Sequence, residues 1–299
     1  MKFATAKIDD ESTFIGLLDE VRDSIIHLKK LFQFAKQDHS FPNDMMELIE
    51  LGDSFVYQIR SLLNDVHVQE CSYPLKKVTF LPPIPSPRKN VICVGKNYAE
   101  HVKEMGGDQL PEDIIIFTKA PTTIIAHDVA IPLHERITNQ LDYEGELAVI
   151  IGKKGKGIKK EEALEYVFGY TILNDITARD LQSKHKQFFL GKSLDGSCPM
   201  GPYIIHHSAV SNPNHLHIET RINGEVRQSS NTKHFIFPIE RIIEEISKGM
   251  TLEPGDIIAT GTPAGVGKGF TPPKFLKDGD TIEIEIENLG RLRNTVKKM

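Results

Sequence analysis

The stretch Leu141–Gly152 reads Leu-Asp-Tyr-Glu-Gly-Glu-Leu-Ala-Val-Ile-Ile-Gly and joins two carboxylates to an apolar run. Residues two apart in a strand point to the same face, so the side chains of Glu144 and Glu146 should lean the same way. The following Leu147–Ile151 is apolar at every position, which is typical of a strand covered on both faces. Carboxylates at the entrance to such a strand are costly to desolvate unless a cation or a hydrogen-bond donor meets them.

A second Glu-x-Glu pattern near the end of the chain provides a contrast. The segment Thr281–Asn288 alternates isoleucine with Glu283, Glu285 and Glu287. This alternation predicts a strand with one solvated face, so these glutamates are expected to be simply solvated. The Glu-x-Glu spacing alone is therefore a weak indication of a metal site. The earlier pair differs because no polar face follows it and because a third acid comes later.

That third acid is Asp175, which follows a buried-looking strand at Tyr170–Leu173. Three carboxylates suit a hard octahedral cation such as Mg²⁺ or Mn²⁺, with water or substrate as the other ligands. Zinc more typically recruits cysteine or histidine, and neither lies near these acids in the sequence. Taken alone, Asp175 has an alternative interpretation as the N-cap of a turn at Thr177–Gln182.

The composition limits the classes of protein to consider. The chain has 299 residues, 39% apolar and 26% charged, with no long uncharged apolar run, so it fits one large or two globular domains and predicts no membrane span. The net charge of −5 has mixed signs along the sequence, which argues against a nucleic-acid partner. The scattered Cys71, Cys93 and Cys198 form no CxxC pair, which suggests a reducing compartment. With no signal-peptide pattern, we expect a cytoplasmic protein.

Residues 1–75 are predicted to form a small N-terminal α/β domain without a catalytic cluster. The predicted strands and helices are Phe3–Ile8, Phe14–Leu18, Asp23–Ala35, Pro42–Leu51, which stops at Gly52, and Ser54–Val66. The histidines of this unit, His27, His39 and His67, are isolated in the sequence. The proline-rich Leu81–Pro87 predicts a stiff, extended connection, and we place the catalytic domain at 76–299.

The second domain is rich in short strand-like runs. They lie at Val91–Val94, Ile114–Phe117, Leu147–Ile151, Tyr170–Leu173, Tyr203–Ile205, His217–Ile222, Ile257–Ala259 and Thr281–Ile286. Helical patterns intervene mainly at Tyr98–Met105, Lys160–Tyr166 and Pro238–Lys248. There is no regular βαβ alternation, so the fold class is predicted to be α+β.

A histidine and a carboxylate share one face of the first predicted helix. His101 and Glu104 are three residues apart, between Asn97 as a plausible N-cap and Gly106 as a stop. A carboxylate beside an imidazole orients the ring and raises its basicity, as a water-activating base requires. The alternative is an incidental surface pair. The glycines after the helix would allow it to move as a lid.

Two lysines and a glycine-rich loop complete the candidates. Lys119 and Lys192 lie in apolar contexts, where each either neutralises a substrate carboxylate or enolate oxygen or simply ends a strand. The loop Gly261–Gly269 is not a phosphate loop, because GxxxxGK[ST] requires glycine at 262 and a hydroxyl residue at 269. Its amides and the Thr262 hydroxyl remain available to a small anion.

Five motifs in this order resemble the fumarylacetoacetate hydrolase family, from about Val91 to the end of the chain. They are Val-Gly-Lys-Asn-Tyr with His-x-x-Glu (94–104), Asp-Tyr-Glu-Gly-Glu-Leu (142–147), Asn-Asp-Ile-Thr-Ala-Arg-Asp-Leu-Gln (174–182), Gly-Lys-Ser (191–193) and Thr-Gly-Thr-Pro (260–263). The resemblance implies a β-rich roll that forms a homodimer and binds Mg²⁺ or Mn²⁺.

The resemblance also implies a role for each matched residue. It makes Glu144, Glu146 and Asp175 the metal ligands. It makes His101 and Glu104 the lid dyad and Lys192 the carboxylate or enolate partner. The implied substrate contacts are Arg179, Gln182, Lys119, Gly261 and Thr262.

The motif pattern follows the acylpyruvase and oxaloacetate decarboxylase members of the family, which implies a small 2-oxo acid as substrate. Our first expectation is metal-dependent C–C cleavage, with oxaloacetate decarboxylation preferred. The alternatives are hydrolysis of an acylpyruvate or fumarylpyruvate, tautomerisation of oxaloacetate, and isomerisation of 2-hydroxyhepta-2,4-diene-1,7-dioate. A hypothesis of another class is a partner-binding protein that uses residues 1–75.

Overall fold

The computed structural model describes residues 1–8, 12–36, 41–65 and 68–299. The strands are β1 (Lys2–Ile8), β2 (Phe14–Asp19), β3 (Ser24–His27), β4 (Ser72–Pro74), β5 (Val78–Phe80), β6 (Val91–Gly95), β7 (Ile115–Lys119), β8 (Ile124–Ile125), β9 (Ile131–Pro132), β10 (Leu141–Asp142), β11 (Gly145–Ile151), β12 (Val167–Asn174), β13 (Thr177–Ala178), β14 (Cys198–His206), β15 (His217–Ile222), β16 (Glu225–Asn231), β17 (Ile257–Ala259), β18 (Thr281–Ile286) and β19 (Gly290–Lys297). The helices are α1 (Leu28–Phe34), α2 (Met45–Asp65), α3 (Ala99–Glu104), α4 (Arg179–Lys184), α5 (Phe189–Lys192) and α6 (Ile239–Ser247).

Most of these strands belong to one large mixed sheet. Its order is β4-β3-β2-β1-β14-β12-β11-β17-β6-β7, with β5 beside β1 and β8 beside β14. A second sheet has the order β16-β15-β18-β19-β9, and β10 pairs with β13. Sheets of this kind with few intervening helices confirm the predicted α+β class.

The strand β11 lies in the middle of the large sheet and is buried on both faces. Leu147, Val149 and Ile151 join the apolar cluster that includes residues of α6 and the second sheet. Ala148 and Ile150 join another cluster, with residues of α1 and α2. The prediction of a strand covered on both sides is therefore confirmed.

The contrasting strand β18 also behaves as predicted. Its isoleucines are buried, whereas Glu285 is exposed and Glu283 is half-buried. Both glutamates form ion pairs with Arg291, at 3.1 and 3.0 Å. Exposed pairs of this kind contribute little to stability, so these glutamates are ordinary surface residues.

The N-terminal helices differ from the prediction in two places. The expected helix Asp23–Ala35 is wrong in its first part, because Ser24–His27 is β3, whose Ile26 lies opposite Leu17 of β2. The β-branched pair Ile25 and Ile26 is buried there, between β2 and β4, and β-branched residues suit a strand better than a helix.

The two further helices predicted in this unit are confirmed and together form α2. The first begins at Met45 rather than at Pro42 and ends at the predicted stop, Gly52, whose φ of 65° and ψ of −160° are not helical. The second continues beyond this kink to Asp65. His39, His67 and Val66 lie outside the described residues.

The N-terminal strands are continuous with the catalytic sheet. Strand β1 pairs with β14, with Phe3 opposite Ile204, and the Phe3 ring lies 6.0 Å from that of Phe168. The division of the chain near residue 75 stays a prediction. Cys71, Cys93 and Cys198 are buried and form no disulfide. None of the described helices is long and apolar enough to cross a membrane.

Candidate active site

The register of the central strands brings the three predicted metal ligands together. Strands β11 and β12 are antiparallel, with Gly145 opposite Asn174, so the start of one meets the end of the other. Ligand oxygens of Glu144, Glu146 and Asp175 all lie within 4.8 Å of one another, and all three side chains are buried. Helix α4 begins only at Arg179, so the structure does not use Asp175 as its N-cap.

Three buried cations surround these acids. Lys192 Nζ lies 2.5 Å from Glu144 Oε2 and 2.6 Å from Asp175 Oδ2, while Lys119 Nζ lies 2.8 Å from Asp175 Oδ1. The Arg179 guanidinium reaches Glu144 at 2.7 Å and Asp142 at 2.8 Å. Four buried carboxylates, including Glu146, therefore face three buried cations.

The unmatched acid is Glu146. Burial raises its pKa well above the usual value, and the charges of Asp175 and Glu144 raise it further. Burial also acts to raise the pKa of Glu144, but Lys192, Arg179 and His101 outweigh it and hold that pKa well below its usual range. An additional positive charge beside Glu146 would therefore stabilise the ionised acids.

The donor set fits a divalent cation. All three candidate ligands are carboxylates, which suit Mg²⁺ or Mn²⁺ better than zinc. The described hydrogen-bond partner of the Glu146 carboxylate is the amide of Gly261, which lies 2.7 Å from Oε2. A bound cation would compensate the charge of this deeply buried carboxylate, which otherwise favours its protonated form.

The glycine-rich loop donates its amides to carboxylates of the protein itself. Besides Gly261, Gly265 N lies 2.8 Å from Glu104 Oε1, and the amides of Gly267 and Lys268 lie 2.7 and 3.0 Å from the Asp142 carboxylate. The expectation that these amides are available to a small anion is therefore wrong for these four. They fix the acids of the site instead.

The predicted dyad is formed at the cavity wall. His101 Nδ1 lies 3.1 Å from Glu104 Oε2, and the other oxygen of Glu104 accepts the hydrogen bond from Gly265. The loop thus holds the carboxylate, and the carboxylate orients the imidazole. His101 is 6% exposed and lines the cavity that contains the acids.

Asn97 has a different role from the predicted N-cap. Tyr98 occupies the N-cap position of α3. The Asn97 side chain instead donates to the carbonyls of Phe237 and Thr260 and accepts from the amide of Phe237. It joins the start of α3 to the residue after β17 and to the segment before α6.

The predicted residues divide into those on the cavity surface and those behind it. The cavity is lined by Val94, Gly95, Lys96, His101, Met105, Phe117, Glu144, Glu146, Arg179, Gln182, Ser183, Phe188, Lys192, Thr262 and Lys268. Lys119 and Gly261 contact the acids from behind this surface. The Thr262 hydroxyl donates to the Gly145 carbonyl at 3.0 Å and accepts from Gln228 at 2.7 Å.

Sequence reasoning missed several residues of the site. Asp142 accepts from Arg179 and from the glycine loop; its position two residues before Glu144 was an available signal. Gln228 accepts from the amide of Gly145, and nothing in its local sequence pointed to that contact. The Phe117 ring packs against Phe188 at 5.6 Å and forms an apolar wall.

Comparisons with known proteins agree with this architecture. The family model described as the C-terminal domain of fumarylacetoacetate (FAA) hydrolase matches residues 90–297. The chain is 51% identical to the oxaloacetate tautomerase YisK of Bacillus subtilis (strain 168), over 99% of this chain and 100% of the relative.

Solved structures give the same result. A fumarylacetoacetate hydrolase from Exiguobacterium antarcticum is 42% identical with a TM-score of 0.83, over 100% of both chains. The 2-hydroxyhepta-2,4-diene-1,7-dioate isomerase of Mycobacterium marinum is 30% identical with a TM-score of 0.73, over 100% of this chain and 98% of that one. The chain is therefore an enzyme that belongs to the fumarylacetoacetate hydrolase family.

Proposed function

We propose that the enzyme acts on oxaloacetate through metal-dependent enolate chemistry, with interconversion of the keto and enol forms as its main reaction. The observation that carries the proposal is the buried triad Glu144, Glu146 and Asp175, of which Glu144 and Glu146 line one cavity together with His101. The 51% identity to a relative named oxaloacetate tautomerase supports this choice of substrate.

The metal of the proposal is Mg²⁺ or Mn²⁺, held by Glu144, Glu146 and Asp175. When bound, such an ion supplies positive charge that polarises a keto oxygen and lowers the energy of an enolate. Lys192 lies between two of the acids and adds a second, fixed positive charge for the carboxylate or the enolate oxygen.

The proton transfer is assigned to His101. The imidazole lies at the cavity wall, and Glu104 holds its Nδ1 side at 3.1 Å, which leaves Nε2 to exchange a proton with the substrate carbon. Arg179 and Gln182 are proposed to position the substrate at the surface of the cavity. Lys119, Gly261 and Thr262 are proposed to support it through the acids and the loop that they contact.

Two lysines favour tautomerisation over loss of CO₂. Lys96 and Lys268 line the cavity, and neither ammonium group has an ion-pair or hydrogen-bond partner among the described residues. A dicarboxylate bound between them would keep its distal carboxylate charged and in place, which stabilises the ground state from which CO₂ would leave.

Decarboxylation is the second candidate reaction, and the aromatic wall favours it. Phe117 and Phe188 form an apolar surface of the same cavity. A distal carboxylate placed against that wall loses hydration, and a desolvated carboxylate releases CO₂ more readily. Lys192, together with the cation that the buried acids would hold, would then stabilise the enolate of pyruvate, and His101 would protonate it.

The test supplies enol oxaloacetate, keto oxaloacetate and an acylpyruvate separately, with Mg²⁺ or Mn²⁺ and then with chelator. We expect chelator-sensitive decay of the enol absorbance that is faster than pyruvate formation. Release of pyruvate and CO₂ at the rate of substrate loss would instead establish the decarboxylase. Pyruvate with a free carboxylic acid from the acylpyruvate would identify a hydrolase, and failure with all three would overturn the proposal.

We also propose that the enzyme is a homodimer, as the family resemblance implies. Sedimentation velocity on the full chain should give a single species of twice the chain mass of 33.6 kDa. A monomer at micromolar concentration would contradict this assembly.

A further inference from the structure

Asp53, His206 and His207 form a second cluster, outside the active site. Asp53 lies on α2, one residue after the kink at Gly52. His206 ends β14, and His207 begins the turn that follows. Asp53 Oδ1 lies 3.1 Å from Nε2 of each histidine. Helix α2, which carries the carboxylate, therefore meets the end of β14, which carries the two histidines.

The two histidine rings can approach each other because β14 ends at His206 and His207 already belongs to the following turn. Neighbouring residues within a strand point to opposite faces. Here the two rings lie 4.3 Å apart and both direct Nε2 to the same oxygen. The His206 ring is fixed from the other side by the edge-to-face contact with Phe168 at 5.3 Å. The arrangement is thus held by packing and does not depend on Asp53 alone.

The imidazole–Asp53 distances are those of hydrogen bonds, and they also fit the ligands of a tetrahedral metal ion. Zinc binds histidine nitrogen and carboxylate oxygen at about 2.0–2.1 Å, which places two tetrahedral ligand atoms roughly 3.3 Å apart. The two N···O separations of 3.1 Å are close to that value. The candidate ligand atoms of all three residues lie within 4.8 Å of one another.

The donor set differs from that of the active site. Two imidazoles and one carboxylate suit zinc, whereas the three carboxylates of the active site suit Mg²⁺ or Mn²⁺. The His206 side chain is 3% exposed, but those of His207 and Asp53 are 36% and 38% exposed. An ion can therefore enter from solvent, and a water molecule can serve as the fourth ligand.

We propose that Asp53, His206 and His207 form a zinc site that cross-links α2 of the N-terminal unit to the end of β14. The site is structural and separate from the acid triad. Because the ion binds the native arrangement, zinc should stabilise the fold without taking part in the reaction.

The test uses the full chain, stripped of metal and then saturated with Mg²⁺ so that the acid triad is occupied. Zinc is titrated against a chromophoric chelator, and Co²⁺ is used as a spectroscopic probe. We expect about one zinc per chain, a higher melting temperature, and the intense visible absorption of four-coordinate Co²⁺, which octahedral carboxylate sites lack.

Two ligand variants and two control variants test whether zinc binds at this cluster. Loss of a hydrogen-bond partner of a ligand already costs about 10–100-fold in metal affinity, so His207→Ala and Asp53→Asn should each lose at least that much. His217→Ala, at an exposed histidine, and Glu146→Gln should keep zinc binding. His207 is partly exposed, so its loss should leave the circular dichroism spectrum unchanged. Absence of zinc binding in the Mg²⁺-saturated protein, or zinc binding that His207→Ala leaves intact, would overturn the proposal.

Discussion

Glu144 and Glu146 are two residues apart and both deeply buried, yet their electrostatic surroundings are opposite. Glu144 is paired with Lys192 and Arg179, which hold its pKa low. Glu146 has an amide as its described partner and two carboxylates nearby, which raise its pKa. The same mutation at these two positions should therefore change stability in opposite directions.

In the metal-free protein, Glu146→Gln should increase the free energy of unfolding by about 0.5–2 kcal/mol, because it removes a buried charge and keeps an acceptor for the amide of Gly261. The matched variant Glu144→Gln should decrease it by roughly 3 kcal/mol, because two buried cations, Lys192 and Arg179, each lose one of their two carboxylate partners. Urea denaturation at pH 7 with chelator measures both.

Added Mg²⁺ should stabilise the wild-type protein but not Glu146→Gln. If both glutamine variants lost stability to the same extent without metal, the assignment of Glu146 as the unmatched charge would be wrong.

His101 and Glu104 should contribute to turnover and little to metal binding. Loss of a general acid or base typically costs 10²–10⁴-fold, so His101→Asn should reduce kcat by about that factor. Glu104→Gln should cost less, because glutamine still accepts from Gly265 but places no negative charge beside the imidazole. Steady-state kinetics together with Mg²⁺ titration checks this, and a wild-type kcat in His101→Asn would remove it from the mechanism.

At the scale of single residues, the sequence predicted the three acids of the site but not all of their hydrogen-bond partners. Glu144, Glu146 and Asp175 follow from strand spacing and apolar context, which are local properties. The contact of Gln228 with Gly145 joins residues 83 positions apart, so only the folded sheets reveal it. The hydrogen bonds of the loop amides also had no local signal, because they depend on where β17 lies beside β11.

Among the secondary-structure elements, the glycine loop is the part most sensitive to side-chain size. Gly265 has φ +105°, and a Cβ atom there would lie 1.9 Å from the carbonyl oxygen of Arg227. Backbone atoms cannot move aside cheaply, so Gly265→Ala should shift the loop and weaken the hydrogen bond to Glu104.

We expect Gly265→Ala to lower both the melting temperature and kcat. Gly224→Ala is the matched control, because Gly224 also has a positive φ, +82°, but a Cβ atom added there would meet nothing within 4 Å. The control should lose about 1 kcal/mol of stability and keep kcat. Thermal unfolding and initial rates on both variants distinguish backbone strain from displacement of the loop.

The element β3 shows why the predicted helix Asp23–Ala35 failed at its start. His27 ends β3 and caps α1, and its ring stacks on Phe14 at 4.4 Å. A run of apolar residues as short as this one fits both the period of a helix and the two-residue period of a strand. Hydrogen bonding to β2 makes Ser24–His27 a strand.

Burial and then the positive charge of Lys30 lower the pKa of His27 to about 4. Because the ordinary value is 6.5, the unfolded chain gains this proton first as the pH falls, so stability is lost between about pH 6.5 and pH 4. His27→Gln should make the urea midpoint less dependent on pH over this range, while His217→Gln, at an exposed site, should not. An unchanged dependence in His27→Gln would contradict the buried neutral imidazole.

At the scale of the whole molecule, the proposed N-terminal domain shares an apolar core with the catalytic part. One cluster contains Phe3, Ile15 and Leu48 together with Ala148 and Ile204. We therefore expect a single cooperative transition in calorimetry of the full chain. Two separate transitions, with the first confined to the N-terminal residues, would show that the parts unfold independently.

The shared core also bears on the partner-binding hypothesis. Deletion of residues 1–75 would uncover the β14 edge and the apolar face beneath α2, so the remaining chain should aggregate. A soluble and fully active 76–299 fragment would instead favour the N-terminal unit as a separate interaction module. The complete acid triad and the His101–Glu104 pair argue that the catalytic site is not vestigial.

The pairing of β1 with β14 has a consequence for synthesis on the ribosome. Phe3 lies opposite Ile204, so β1 must wait for its partner until about 200 further residues have been translated. At the usual 5–20 residues per second this delay is roughly 10–40 s. Throughout that interval part of the β1 edge has no native neighbour, which leaves this strand open to pairing with other chains.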